Sequence, residues 1–256
     1  MTINKKPLGI KNYGHIPHLP GSRMGPGDHH CHEGQARIAT QKARDKNDDI
    51  FVQEKLDGSN VGVARIGDTI YPLGRAGYLA STSPFEQHHH FAIWAYANAD
   101  RFLQVLQDGQ RLVGEWLALA HGTKYKLQHE PFVAFDIMTG AERVPFDQFM
   151  SQIQSLFVVP HLLSRGTPFS IEQAIATLGD FGFHGALEKP EGAVWRVERN
   201  VPTGKKGEKI RKVDFLVKYV RPDKQDGKYL ASVSHQPEIW LWKPDSKASY
   251  ITDTGF

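Results

Sequence analysis

Phe51-Val-Gln-Glu-Lys-Leu-Asp-Gly-Ser-Asn60 carries a lysine from a short apolar run to the mouth of a turn. Phe51 and Val52 read as the entry of a strand. Asp57-Gly58-Ser59 is a turn signal, and the apolar alternation Val61-Gly-Val-Ala64 follows it, so the pattern predicts a hairpin that fixes Lys55 on a rigid element. Small residues around the turn leave room for a ligand to approach the amine. A lysine is a nucleophile only when unprotonated, so Lys55 needs burial or neighbouring cations to lower its pKa. Taken alone, Lys-x-Asp-Gly is short, and a surface lysine ahead of a β-turn is the commoner way to meet it, because charged residues are mostly exposed.

The surrounding chain sets the frame. Its 256 residues, 40% hydrophobic and 23% charged, suit one large globular domain with a sizeable core. The net charge of +3 permits a polyanionic partner without demanding one. The single cysteine, Cys31, excludes an internal disulfide and favours a reducing cytoplasm. No apolar run approaches a membrane span, and the polar N-terminus carries no signal-peptide core, so no membrane partner is expected.

Upstream of the lysine, residues 1–35 are rich in Gly, Pro and His and predict irregular structure or short strands. His29-His-Cys-His32 invites a metal reading, but adjacent side chains point apart and no second Cys/His pair lies at a finger-like spacing. A polar loop beside a site or a surface facing nucleic acid is the alternative. The stretch from Gln35 to Asp48, with Arg37, Lys42, Arg44 and Lys46, suits a basic helix or arm, or simply a solvated face.

Downstream, Arg75 sits between glycines in a turn, as a phosphate contact or a solvated side chain. Ser83-Pro-Phe-Glu86 reads as a capping box with proline at the first helical position. Phe91, Trp94, Ala95, Phe102 and Leu106 recur at helical spacing after it. Leu112–Leu117 and Pro131–Met138 read as strands, each with one acid, Glu115 and Asp136, either of which suits a structural carboxylate as well as a functional one. Helices are predicted at Phe146–Leu156 and Ser170–Leu178, the second with its own capping box and Gly179 as a stop. Strands Gly192–Val197 and Asp214–Val220 bracket Arg196, Arg199, Lys205, Lys206, Lys209, Arg211 and Lys212, a basic arm of the kind that binds phosphates. Trp240 and Trp242 suit a core or an interface.

These separate signals line up in one order. Lys55-Leu-Asp-Gly58, Gly114-Glu-Trp-Leu117, Phe135-Asp-Ile137, Glu191-Gly-Ala-Val194 and Leu216-Val-Lys-Tyr219 resemble motifs I, III, IIIa, IV and V of the covalent nucleotidyltransferases, the superfamily of ATP-dependent DNA ligases, RNA ligases and messenger-RNA capping enzymes. Five motifs in sequence, over about residues 50–222, are far more specific than any one. Within the superfamily, DNA ligases commonly carry an arginine five residues after the lysine. Asn60 stands there in this chain, which resembles RNA ligases of the phage nick-sealing type and their bacterial relatives.

The resemblance implies an α+β fold, an ATP-grasp-like ligase catalytic domain of two antiparallel sheets flanked by helices. Only 38 residues follow Lys218, too few for a complete OB-fold domain. The implied organisation is an N-terminal extension packed on the catalytic domain (1–48), a nucleotidyltransferase domain (49–222) and a short C-terminal tail (223–256). The implied activity is RNA ligation in RNA repair, joining 3′-OH and 5′-phosphate RNA ends through lysyl-AMP and RNA-adenylate, with ATP and Mg²⁺, Mn²⁺ as a substitute, and with a partner protein able to supply substrate binding. No nicotinamide-recognition module is visible, so ATP rather than NAD is implied. By carry-over, Lys55 is the nucleophile; Glu115 and Glu191 organise the ribose and the metal shell; Asn60 and Arg75 contact ribose or phosphate. Phe135 stacks on adenine, Glu54 lines the adenine end, and Lys218 binds the α-phosphate and helps depress the pKa of Lys55. Relatives often show Lys-x-Lys in motif V; here the second position is Val220, and Arg221, one residue late, would point to the other face of a regular strand. The rival readings are a DNA ligase, a guanylyltransferase using GTP, and a nucleic-acid-binding protein with no covalent chemistry.

Overall fold

The computed structural model describes residues 6–153 and 155–244. Two antiparallel sheets face each other across a groove, with helices on their outer faces, an α+β architecture. The first sheet has four strands in the order β7-β1-β8-β9: β1 (Asp48–Lys55), β7 (Leu162–Gly166), β8 (Gly192–Pro202) and β9 (Lys209–Val220). The second has five, β3-β2-β4-β5-β6: β2 (Ser59–Ile66), β3 (Thr69–Gly74), β4 (Gln110–Trp116), β5 (Phe132–Thr139) and β6 (Glu142–Arg143).

The turn after Lys55 therefore does not close a hairpin. β1 and β2 belong to different sheets, and Leu56-Asp57-Gly58 carries the chain from one to the other. Period-2 alternation marks a strand but not its partner, which is why the turn signal misled. Gly58 is required by close approach, since a Cβ there would lie 2.4 Å from the Trp116 carbonyl oxygen. The crossover leaves Lys55 at the end of its strand, in the gap between the sheets.

Alternation then sorts each strand into a core face and a groove face. Ile50, Val52, Ala193, Trp195, Val197 and Val217 form the outer core of the first sheet, under Ala36 and Ala39 of α1 (Glu33–Thr40) and Ala174 and Leu178 of α5 (Ile171–Leu178). Val61, Val63, Leu112, Trp116, Phe132 and Ala134 do the same for the second, under α2 (Glu86–Ala97), α3 (Ala99–Val105) and α4 (Phe146–Ile153). Gln53, Lys55, Val194, Arg196, Leu216 and Lys218 are left to face the groove from one side.

The helix predicted from Ser83 starts later and breaks once. Its N-cap is Phe85, and Pro84 lies outside it. Ser83 Oγ instead accepts from the Phe85 N–H at 3.2 Å and bonds the His88 ring at 2.7 Å. At Asn98 the side-chain amide bonds the Trp94 carbonyl, and α3 restarts at Ala99. The helix predicted at Phe146–Leu156 ends at Ile153, with its residue 154 outside the described residues. The stretch from Gln35 is helical only to Thr40.

The predicted basic arm is the β8–β9 ribbon, and its charges are largely answered within the protein. Arg199 pairs with Asp45 and Asp48 at 2.6 Å each, Arg211 with Asp49 at 2.8 Å, and Arg196 is buried against Asp136. Lys205 and Lys212 face Glu208 and Glu142 at 3.9 and 4.0 Å.

Two segments outside the sheets frame the groove. Residues 17–23 run along β9, with Leu19 N–H donating to the Lys218 carbonyl and Lys218 N–H to that of Pro17. On the other side, Ala120 and Leu241 exchange backbone bonds with Ile239 and Ala118, while Trp242 packs edge-on against Trp116 at 5.4 Å. α6 (Ala231–Ser234) lies between, and residues 245–256 of the C-terminal tail lie outside the described residues.

Candidate active site

The groove is a cavity of about 670 Å³, and Glu54, Lys55, Asn60, Arg75, Glu115, Phe135, Glu191 and Lys218 all line it. Antiparallel pairing explains the central contact. Lys55, the last residue of β1, is in register with Gly192, the first of β8, so Glu191 just ahead of β8 reaches the lysine. Lys55 Nζ donates to Glu191 Oε2 in a very short contact and to the Leu56 carbonyl at 3.3 Å. Across the groove Asn60 and Glu115 are paired in register on β2 and β4, and Glu115 Oε1 accepts the Gly58 N–H at 3.0 Å.

The electrostatics differ from the sequence expectation. Burial works to lower the pKa of Lys55, but the carboxylates of Glu191, Glu115 and Asp57 outweigh it and the value is raised. Burial in turn lifts Glu191 to about 8 and Glu115 to about 7, with Lys55 opposing both. Lys218 does not govern Lys55. Its ammonium lies 3.6 Å from Asp28 Oδ1, and burial followed by the charge of Lys55 lowers its own pKa.

Phe135 owes its position to a β-bulge. β5 pairs Asp136 with Val113 but Ala134 with Gly114, so Phe135 is the extra residue and both Phe135 and Asp136 line the groove. The ring meets Tyr13 edge-on at 5.3 Å. Asp136 is fully buried, accepting from Tyr13 Oη at 2.6 Å, from Arg143 Nε at 3.1 Å and from Arg196. It is the more heavily bonded of the two strand acids; Glu115 accepts one backbone N–H and has a raised pKa. Glu54 is 2% exposed: Oε2 accepts the Phe183 N–H at 2.9 Å, Oε1 has no partner among the described residues, and burial lifts its pKa to about 7. The buried Asn60 Oδ1 is likewise unpartnered. Arg75 is exposed, and among the described residues its side chain reaches the Gly14 carbonyl alone, at 3.4 Å.

Arg221 does not take the second motif V place. Its Nε bonds Asp223 at 3.2 Å, and it is absent from the groove lining. His29-His-Cys-His32 forms no metal centre, and among the described residues no three His, Cys, Asp or Glu side chains converge on a metal position. What sequence reasoning missed is the contribution of distant segments: Tyr13, Asp28, His88 and His121 all belong to this neighbourhood. Histidine runs at 29–32 and 88–90 were visible, but only the fold shows which member turns inward. Among the described residues no helix is long and apolar enough to cross a membrane.

Comparison with known proteins agrees with this geometry. Among solved structures, the RNA ligase of Naegleria gruberi with PPi is 18% identical at a TM-score of 0.51, the match covering 86% of this chain and 62% of that one. A lysine-to-alanine mutant of that ligase, solved with ATP and Mn, is 21% identical at 0.50, with 80% of this chain and 59% of that one covered. At such identities the likeness speaks for the fold, and the chain spans about three-fifths of the length of these structures. No curated protein matches the chain. A sequence profile described as RNA ligase matches residues 48–220, the interval from the first residue of β1 to the last of β9. Both sheets that flank the groove lie within the matched segment, which is well over half of the chain, and the chain belongs to the RNA ligase family.

Proposed function

We propose that this protein is an ATP-dependent RNA ligase that joins 3′-OH and 5′-phosphate RNA ends in RNA repair, acting in the cytoplasm. The observation that carries the reading is the contact of Lys55 with Glu191 at the head of a groove that also presents Glu115 and Lys218. Lys55 attacks the α-phosphate of ATP and pyrophosphate leaves, giving lysyl-AMP; the AMP passes to an RNA 5′-phosphate, and a 3′-OH then displaces it. Each step is phosphoryl transfer, in which positioning and charge neutralisation do most of the catalysis.

Glu191, in contact with Nζ, holds the lysine amine in place at the head of the groove. Lys218, once released from Asp28, holds the α-phosphate. Phe135 offers a ring to the base, and the unpartnered Glu54 Oε1 accepts an exocyclic amine, which suits the amino edge of adenine better than the carbonyl edge of guanine. Asn60 Oδ1 accepts from the ribose, and Arg75 contacts ribose or phosphate. Glu115 and Glu191 are buried carboxylates in excess over their nearest cation, a donor set that fits a divalent ion. The lack of a closed protein cage suits Mg²⁺, which is commonly bound by one or two carboxylates together with substrate phosphates and water. When bound, that ion neutralises the carboxylates and the phosphate charge. Residues 1–48 and 223–256 act as extensions of a catalytic domain at 49–222, and a partner protein supplies further substrate binding.

The test is nucleotide transfer. Purified protein is incubated with Mg²⁺ and α-labelled ATP or GTP, wild type beside Lys55→Ala, and read by denaturing gel and intact mass. An AMP adduct from ATP that is lost in the variant supports the reading. No adduct with either nucleotide, in protein shown by mass to be free of preexisting AMP, overturns it.

A further inference from the structure

We infer that His121 is the general base for the RNA 3′-hydroxyl in the sealing step, a role that rests on the ligase reading. Two anchors fix the residue where the chain leaves the second sheet. Its carbonyl accepts the Tyr229 N–H at 2.7 Å, and its ring Nε2 lies 3.1 Å from Gln87 Oε1. An amide oxygen only accepts, so Nε2 carries the ring proton. Nδ1 is then the bare lone pair of a neutral imidazole, and it makes no hydrogen bond to a described residue. The ring lines the same cavity as Lys55.

The neighbours decide what that lone pair serves. Lys55 already has Glu191 and the Leu56 carbonyl as partners. His88, the adjacent histidine, has both ring nitrogens taken by hydroxyls, Ser59 Oγ at 3.2 Å and Ser83 Oγ at 2.7 Å. Asp57 is a carboxylate with no proton to give, its Oδ2 accepting from Gly122 N–H and Thr123 Oγ1 at 3.0 Å each. Among the described residues none thus offers His121 Nδ1 a proton, and a substrate hydroxyl does. Burial lowers the pKa of His121 below the ordinary histidine value, with Asp57 opposing and Lys55 reinforcing the shift, so the ring is neutral at pH 7.

In the step itself the 3′-hydroxyl oxygen bonds to the 5′-phosphorus of the RNA-adenylate. The bond from that phosphorus to the bridging oxygen breaks, and AMP departs with the electron pair. The hydroxyl proton goes to His121 Nδ1, and the imidazolium returns it to water.

The experiment is single-turnover sealing of a nicked RNA duplex carrying a pre-adenylylated 5′ end, with Mg²⁺, across pH 5 to 9. Wild type is expected to show a rate that rises with pH through the acid range, with its limb below the ordinary histidine value, and is level above. His121→Ala is expected to seal on the order of 10²-fold more slowly, to lose that limb, and to be rescued by added imidazole. Gln87→Glu keeps the imidazole and stabilises its protonated form, so its limb moves up by about one pH unit. An unchanged rate and profile in His121→Ala, or a loss that imidazole does not restore together with an unmoved limb in Gln87→Glu, overturns the role and leaves the ligase reading standing. Wild type unable to seal the pre-adenylylated nick overturns the ligase reading and the role with it.

Discussion

Glu54 sits one residue before Lys55 and shows what the groove costs. Its carboxyl is buried with one oxygen unpartnered, and burial lifts its pKa from 4.5 to about 7. A carboxyl whose folded pKa is raised binds its proton more tightly in the native state, so folding stability falls as pH rises from the unfolded value through the folded one. The penalty is absent below about pH 4.5, grows through pH 7 and is level above it, on the order of 3 kcal/mol in full. Glu54→Gln removes the titration while keeping an acceptor for the Phe183 N–H. Thermal unfolding should therefore show the variant level with wild type at pH 4.5 and more stable by several degrees at pH 8. A stability difference that does not change with pH would show that this carboxyl is not strained by its burial. Affinity for ATP should move the other way, because the amide presents a donor where the base needs an acceptor.

Among the elements, the strands were legible in the sequence and their partners were not. Apolar alternation marked the cores of β1, β2, β4, β5, β8 and β9, and the order of short motifs placed Lys55, Glu115, Glu191 and Lys218 in one site before any geometry was known. The pairing of Lys55 with Gly192 and of Asn60 with Glu115 is non-local, set by tertiary register rather than by neighbours in the chain. The same limit hid the bulge at Phe135 and the salt bridges of Arg196, whose partner Asp136 lies sixty residues away. It also hid the electrostatics, since the carboxylates that raise the pKa of Lys55 come from three separate segments of the chain. The crossover at Leu56-Asp57-Gly58 is where the misread turn can be tested. A methyl at Gly58 would press on the Trp116 carbonyl at 2.4 Å and on Leu117 Cδ2 at 3.0 Å, in a packed region that cannot yield far. Gly58→Ala should lower stability by about 1–3 kcal/mol in urea unfolding. It should lower AMP-adduct formation at least 10-fold even where folded protein is recovered, because the shift is transmitted directly to Lys55. Full adduct formation in a folded variant would show that the crossover tolerates displacement.

For the whole molecule, the balance of charge bears on the proposed binding of RNA. A net charge of +3 with a basic ribbon at 196–212 suggested a phosphate-tracking arm, yet the fold spends most of those cations on its own carboxylates. A cation already paired within the protein releases few counterions when RNA arrives, since its compensating charge is a carboxylate and not a mobile ion. The groove keeps unsatisfied groups of its own: among the described residues Lys218 pairs with Asp28 alone, at 3.6 Å, and Glu54 and Asn60 keep bare oxygens. Recognition on this view is made by the groove, with the ribbon as a structural wall. Equilibrium binding of a nicked RNA duplex between 50 and 200 mM KCl tests it, with Lys205, Lys206 and Lys209 changed together to alanine. These three are exposed near the tip of the ribbon, so their removal should spare the fold. Each phosphate contact contributes about 0.9 to the slope of log affinity against log salt on a duplex. The triple variant should keep the wild-type slope to within about one such contact, whereas a ribbon that tracks the backbone would lose close to three. The same titration on Lys218→Ala should give a lower affinity at every salt concentration, because that lysine meets phosphate inside a groove from which mobile ions are largely excluded.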